Sequence, residues 1–586
     1  MKNIKKYRIE FVIGLILVLF GTACNKILDK ENLTAVNPSQ ILGSANILKA
    51  QLNGIYADNM PGMPQGTGNG TDEAAPTGFN ASAWFRGSAT VDSYDIYASA
   101  YTRLRGINIF LDNVDKASFD QADKNILKGQ GLFWRAWNYF QLVKSYGGVP
   151  LIITADEVPD DFTQLLVPRS KTSECIAQMV ADLDVAVDAL PDVWTGEDVG
   201  RIDKIAALAF KGRVLLFFAS PLFNPSNDQA KWQAAYDACL AAKQKADENG
   251  KGLFAPFNKI WDTELNKEVI MVRRYNFPQA AYFQGGMLPL TYSQDLQGQD
   301  KPSLGLVNAF PMKDGSKWGD KARLYDTLFR SRDERFYETV LYNGAPYQYL
   351  AKMRDQNVYH WTFYSKITGF NNNTGVIGEL NLLSPNGGSP TSFHRIKGSD
   401  KSANLATSVY NAAVDWPEIR YAEVLLNFGE AANELGKSSE ALIALYEVRK
   451  RAGILSGDNN KYGITANSKA AIREEYKNER FVEFAFENKR WDDLRRWRMF
   501  GYLRDLVRRK GLAIALKSGE TAPQILADID AQAIWSKFTY EEIVTESSDN
   551  VIKDSYYFYP IPLAYINRNP QLIQNNNWGG GFDPLQ

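Results

Sequence analysis

The sequence predicts a mainly α protein: tetratricopeptide-like helix pairs form a scaffold, interrupted by a long irregular, loop-rich region. Three observations predict it. Apolar residues recur at helical spacing up to about residue 250. Between Gly252 and Ala413 that period is lost, and Gly, Pro, Asn and aromatic residues crowd together. The period returns at Trp416-Pro417 as helix pairs of about 34 residues with small residues where the helices would cross.

Taken in order, Lys2, Lys5, Lys6 and Arg8 precede an unbroken apolar run from Phe11 to Phe20. At ~1.5 Å per residue the run covers about half of a ~30 Å hydrocarbon core, so residues 1–23 read as a signal peptide and not a membrane span. Gly21-Thr22-Ala23-Cys24 resembles the lipobox of bacterial lipoproteins, which makes Cys24 the lipidated residue and 24–38 a tether. The alternative is an ordinary secretory signal with Cys24 incidental. No later stretch reaches the ~18 apolar residues of a spanning helix.

Residues 39–250 form the N-terminal helical region. Phe133, Ala136, Trp137, Phe140 and Val143 make one stripe, ended by Gly147-Gly148 and Pro150. Ser173 to Leu190 is amphipathic, Ile205 to Ala219 is apolar nearly all round and therefore buried, and Ala234 to Ala246 is a further helix. Residues 251–413 are the irregular region, with short strands only around Val269 to Tyr275 and no sheet drawn. In 414–515, Tyr421 to Leu435 pairs with Ser439 to Ala452, then Lys469 to Phe486 with Trp491 to Arg508. Residues 516–586 are irregular, with Tyr559-Pro560-Ile561-Pro562 and Asn569-Pro570 enforcing an extended path.

Composition narrows the chemistry. Sixty-six Lys+Arg against 67 Asp+Glu leave a net charge of −1, so the basic surplus needed to neutralise phosphates is missing and no nucleic-acid partner is expected. The 45% hydrophobic content is too high for a disordered chain. Only two histidines are present, His360 and His394. They are too few and too separated for a zinc site and are expected on the surface or in loops. Cys175 and Cys239 fall in helical patterns and are expected as isolated buried thiols, a bridge being the alternative. Asp300 and Asp333-Glu334 read as unremarkable acids, and neither metal nor cofactor is expected.

No G-x-S-x-G elbow occurs, and the glycine-rich pieces lack a lysine at Walker spacing. Glu479, Glu483 and Glu487 share a helix face, with Arg480, Arg490, Arg495 and Arg496 nearby. Neighbouring arginines lower a carboxyl pKa, whereas a glycosidase acid needs it raised, so this cluster reads as an ion-paired helix junction. No catalytic residue is expected.

Several blocks together resemble the SusD/RagB family of surface lipoproteins. They are Phe133 to Phe140 with Tyr146-Gly147-Gly148-Val149-Pro150, Val167-Pro168-Arg169, and Gly200-Arg201 leading into Gly212-Arg213. Arg420 to Asn427, Arg451-Ala452-Gly453, Asn478-Glu479-Arg480, Arg490 to Leu494 with Arg496-Trp497, and the Tyr559 to Asn575 tail follow in the family's order. The resemblance implies four tetratricopeptide-like pairs as scaffold, with the ligand site in the loop-rich remainder. It implies a lipid-anchored protein on the outer-membrane surface that binds a nutrient glycan, or in some members a peptide, without cleaving it. It also implies a SusC-like TonB-dependent outer-membrane transporter as partner. Glycan binding is the first reading, oligopeptide binding on the same scaffold the alternative, and a glycosidase a distant third.

The family's site is an arc of aromatics from an N-terminal loop and the irregular middle. A pyranose packs its C–H face on an aromatic ring while amides and carboxylates hold its hydroxyls. On that basis Trp84, Tyr292 and Trp318 are the expected platforms, with Asn80, Gln294 and Asp295 as hydrogen-bonding partners. Tyr282, Phe283 and Gln284 lie in the same irregular region.

Overall fold

Helical periodicity in the first 250 residues becomes α1 (Ala45–Asn59), α2 (Tyr97–Lys116), α3 (Gln121–Tyr146), α4 (Thr172–Ala189), α5 (Lys204–Ala219) and α6 (Gln229–Glu248). The computed structural model describes residues 44–76, 82–155, 166–287, 300–320, 325–347, 359–371, 375–380, 390–401, 410–521 and 534–586. Asp120 caps α3 by accepting from Ala122 N, and Gly147 ends it at φ 78°, a conformation that favours glycine. Helix α3 packs on α4, and α5 on α6. At the second crossing a Cβ on Gly212 would stand 2.9 Å from Cys239 Sγ, so only glycine permits the approach. Cys175 and Cys239 are both free and buried.

The middle region contains β1 (Val269–Arg273), α7 (Leu304–Ala309), α8 (Glu334–Thr339) and a hairpin of β2 (Tyr364–Asn371) and β3 (Gly375–Leu380). Strand β4 (Trp416–Arg420) leads into α9 (Tyr421–Glu434), α10 (Ser438–Arg451) and α11 (Lys469–Glu483). Helix α9 packs on both α6 and α10, joining the two helical regions around one large core. The expected Trp491–Arg508 helix is instead two short ones, α12 (Arg490–Arg496) and α13 (Phe500–Asp505). Bidentate bonding of Arg496 to Glu430, with Trp497 Nε1 on the same carboxylate, holds the chain where a continuing helix would carry it away.

A four-stranded sheet also departs from the sequence reading. Strands β5 (Lys510–Leu516) and β6 (Phe538–Val544) pair antiparallel, and the order is β6-β5-β2-β3. Residues 511–515 are continuously buried, and such a short apolar run cannot be told from a helix by periodicity. The sheet borders a second core with α7 and α8. A last short helix, α14 (Leu563–Arg568), lies in the tail.

The histidines are not on the surface. His360 and His394 are 4% and 8% exposed, with ring centroids 5.1 Å apart. Each sits on a two-residue strand, paired respectively with Ala345–Pro346 and Val340–Leu341, and this pairing draws both rings inside. Burial pulls the His360 pKa down to about 3, and burial with neighbouring His360 and Lys301 holds His394 well below its ordinary value.

The acidic helix face is the ion-paired junction that its arginines implied. Arg335 bonds Glu479 at 2.6 Å, Asp333 at 2.8 Å and Glu483 at 3.0 Å. Arg420 bonds Glu483 at 3.0 Å, Glu487 at 2.7 Å and Glu268. Arg451 bonds Glu268 at 2.5 Å and Glu483, all of these groups being buried. Burial alone would raise the Glu483 pKa, but the charges of Arg451, Arg420 and Arg335 outweigh it and hold the carboxyl low. Glu479 and Glu487 are lowered in the same way by their own cations. Asp333 is thus a network member, and Asp300 is likewise buried against Arg395 at 2.9 Å, so neither is an incidental acid.

Residues 61–75 form a strap clamped by three buried arginines. Arg395 donates to Pro64 O, Arg490 pairs bidentately with Asp72, and Arg509 donates to the carbonyls of Asn69, Thr71 and Ala74, each at 2.7 Å. The carbonyls of Pro64, Asn69, Thr71 and Ala74 are therefore satisfied by charge-assisted bonds, while Ala74–Ala75 also pair antiparallel with Lys301–Pro302.

Candidate functional site

Beyond β1 and β4 the two segments continue side by side. Tyr282 and Ala412 exchange backbone bonds of 2.9 and 3.1 Å, which carries the ladder out into the loops 276–287 and 410–415. This places Phe283 and Tyr410 with ring centroids 5.3 Å apart, exposed by 38% and 54%. Phe277 is a further exposed ring on the same loop. Exposed aromatics grouped in this way are the unusual observation, since single apolar residues on a surface need no explanation.

The patch is backed by fixed groups. Gln65, on the strap, donates to Phe283 O, and the Phe283 ring lies over Gly285 so closely that a Cβ there would overlap it. Buried Gln284 accepts from Asp400 N at 2.9 Å, and Asp400 accepts from Ala413 N at 3.3 Å. Tyr282 donates to Gly398 O at 3.2 Å, and its ring meets Tyr275 at 4.7 Å. Burial raises the Tyr282 pKa, so the phenol is a neutral donor. Beneath lies a small satellite core of Met63, Tyr275, Met287 and Trp416. The surface is a rigid apolar face edged by backbone and amide groups, suited to packing and hydrogen bonding.

Asn80, Tyr292, Gln294 and Asp295 lie outside the described residues, as does Cys24. Trp84 is half-buried against Tyr556 and Tyr559, with centroids at 4.9 and 4.8 Å. Trp318 is 7% exposed in the second core, its ring centroid 5.3 Å from the Arg332 guanidinium. That places it in the interior and away from any rim, because its neighbours in α7 and α8 enclose it. The two tryptophans pack on different cores and do not share a wall. Phe283 was visible as part of an aromatic, glycine-rich run, but nothing in the sequence signalled Tyr410, which reaches it only through the β1–β4 ladder.

A family model described as "SusD family" matches residues 257–578, more than half of the chain, and one described as "Starch-binding associating with outer membrane" matches 26–216. SusD-like protein P2 of Formosa agariphila is 23% identical over 524 residues, covering 84% of this chain and 91% of that protein. SusD-like protein P25 of the same organism is 24% identical over 509 residues, 83% of this chain and 79% of its own length.

Solved structures share the fold. The crystal structure of a SusD-like protein from Bacteroides fragilis matches with a TM-score of 0.70 at 22% identity, covering 91% of this chain and 97% of that one. A SusD-like carbohydrate binding protein from Bacteroides fragilis matches at 0.69 and 22%, over 91% and 99%. Surface glycan-binding protein A from Bacteroides uniformis matches at 0.56 and 17%, over 91% and 100%. The mainly α architecture with tetratricopeptide-like helix pairs is theirs as well, and this chain belongs to the SusD family.

Proposed function

We propose that the chain is a non-catalytic cell-surface lipoprotein that binds a nutrient glycan and delivers it to a partner TonB-dependent outer-membrane transporter. The observation that carries the reading is the exposed ring pair Phe283–Tyr410, with Phe277 exposed on the same loop as Phe283, in the loop-rich region. Such rings take the C–H face of a sugar, while neighbouring backbone groups and amides take its hydroxyls. Membership of the SusD family supports the ligand class, as do the carbohydrate-binding and glycan-binding names of two structural neighbours. Trp84, Tyr292, Asn80, Gln294 and Asp295 extend the proposed site, and Phe283 and Tyr410 take the platform role first given to Trp318.

Attachment to the outer membrane is assigned to lipid on Cys24. Among the described residues no helix is long and apolar enough to cross a membrane. The acidic face supports the non-catalytic reading as far as its own carboxyls go: Glu479, Glu483 and Glu487 are buried, arginine-paired and held ionised, the wrong state for a general acid. With a net charge of −1 the transporter interface offers no electrostatic handle, so shape and many small contacts govern it.

The test is affinity electrophoresis of the soluble chain beginning after Cys24, against a panel of polysaccharides and peptides. Phe283→Ala, Tyr410→Ala, Trp84→Ala and Trp318→Ala variants run alongside. Retardation by a glycan, lost in the Phe283 or Tyr410 variant, is the expected result. Peptide affinity without glycan affinity overturns the glycan reading in favour of oligopeptide binding.

A further inference from the structure

We propose a second ligand site within the helical scaffold, for a small hydroxylated anion the size of one uronic acid residue. It stands apart from the reading above and needs nothing from the aromatic patch. A groove of about 460 Å³ opens where the turn between α5 and α6 faces α9, α11 and the α12–α13 break, a volume within the ~300–1,000 Å³ typical of ligand sites. Trp232 and Trp497 line it, both almost fully buried, so only an edge of each indole reaches the space.

Its charge is unbalanced. Glu430 is consumed by Arg496, at 2.5 and 2.7 Å, and by Trp497 Nε1. Glu434 is consumed by Arg473, at 2.6 and 2.7 Å. Among the described residues Lys477 pairs only with the solvent-exposed Glu474, an arrangement that contributes little. Arg498 has no carboxylate partner among the described residues, and its guanidinium lies 5.2 Å from the Tyr557 ring centroid. Both rims also carry non-glycine residues with left-handed backbone, Asn227 at φ 55° and Arg498 at φ 57°. Such strain collects at ligand sites, and for an arginine it has no local side-chain compensation. Asn227 Oδ1 is occupied by Trp232 Nε1 at 2.9 Å, which leaves its amide hydrogens for a ligand hydroxyl.

The polar set therefore comprises Arg498 and Lys477 for a carboxylate and Asn227 for a hydroxyl, with the indole edges supplying only apolar contact at the wall. The anion comes from a free monosaccharide or from the end of an acidic polysaccharide, and chain length separates these sources. The soluble chain is titrated with galacturonate, trigalacturonate, galactose and acetate, read by tryptophan fluorescence and calorimetry. Saturable galacturonate binding is expected, with galactose and acetate at least about tenfold weaker. A tighter trimer identifies the chain end; an equal or weaker trimer identifies the free sugar.

Arg498→Gly relieves the left-handed backbone, so it should melt at the same or a higher temperature while weakening galacturonate by about tenfold or more. Lys477→Ala should weaken it severalfold, and Phe283→Ala should leave it unchanged. Galacturonate binding no tighter than acetate or galactose, or unaltered in Arg498→Gly, overturns the proposal.

Discussion

Acidification from pH 7 to pH 5 should destabilise the fold through the buried histidine pair. The His360 pKa drops from 6.5 to about 3 on burial, so the unfolded chain takes up a proton that the folded one refuses. The stability this supplies is complete above the unfolded pKa and is lost as pH falls from 6.5 toward 3. At about 1.4 kcal/mol per pKa unit, His360 alone costs about 2 kcal/mol by pH 5 and about 5 kcal/mol by pH 3. His394 adds a loss of the same sign, since it too is buried and lies against His360. Burial raises the Asp203 carboxyl to about 7 and the Glu73 carboxyl to about 8, and these titrate in the opposite sense over the same window. The comparison must therefore be between variants. Urea midpoints measured between pH 7 and pH 5 should fall more steeply in the wild type than in His360→Gln, by about 2 kcal/mol over the window. Identical slopes would refute the reasoning, because they would mean that the imidazole takes up its proton equally in both states.

Glu483→Gln leaves Arg335, Arg420 and Arg451 each short of a buried anion and should cost about 3–5 kcal/mol in urea denaturation, with Arg451→Met restoring part of the loss. A cost below about 1 kcal/mol would show that the junction relaxes or hydrates freely. Gly285→Ala should push the Phe283 ring off its seat and reduce retardation by the glycan, with little change in thermal midpoint because the displaced ring is already exposed. Undiminished retardation would show that the position of this ring is immaterial to binding.

The helices were legible because their signals are local. The Phe133–Val143 stripe, the Gly147 stop and the all-apolar Ile205–Ala219 segment lie within the helices they foretold. The acidic face was legible too, because arginines crowd it in sequence. What failed depended on distant partners. Residues 511–515 needed β6 to declare themselves a strand, and the Trp497–Met499 break needed Glu430. The histidines, read as loop residues, are internal only because two-residue strands fold them together. At the site, aromatic content pointed to ring packing but could not rank one ring above another. Trp318 and Phe283 look alike in sequence, and α7 and α8 bury only the first.

The clamped strap has a consequence for the order in which the chain can fold. Arg509 binds carbonyls lying 435 to 440 residues before it, and Arg490 binds an aspartate 418 residues before it. Helices α1 to α6 can assemble from contacts made early, and residues 61–75 gain partners from the middle of the chain at Tyr275, Asp300 to Ser303 and Arg395, but the Arg490 and Arg509 clamps close only when the last quarter arrives. Closing so long a loop is slow compared with forming helices. The strap also carries Gln65, which seats Phe283. A chain emerging amino terminus first therefore completes helices α1 to α6 well before the strap that seats Phe283 is fully clamped, and a product truncated before Arg490 would keep those helices while lacking two of the strap's three clamps.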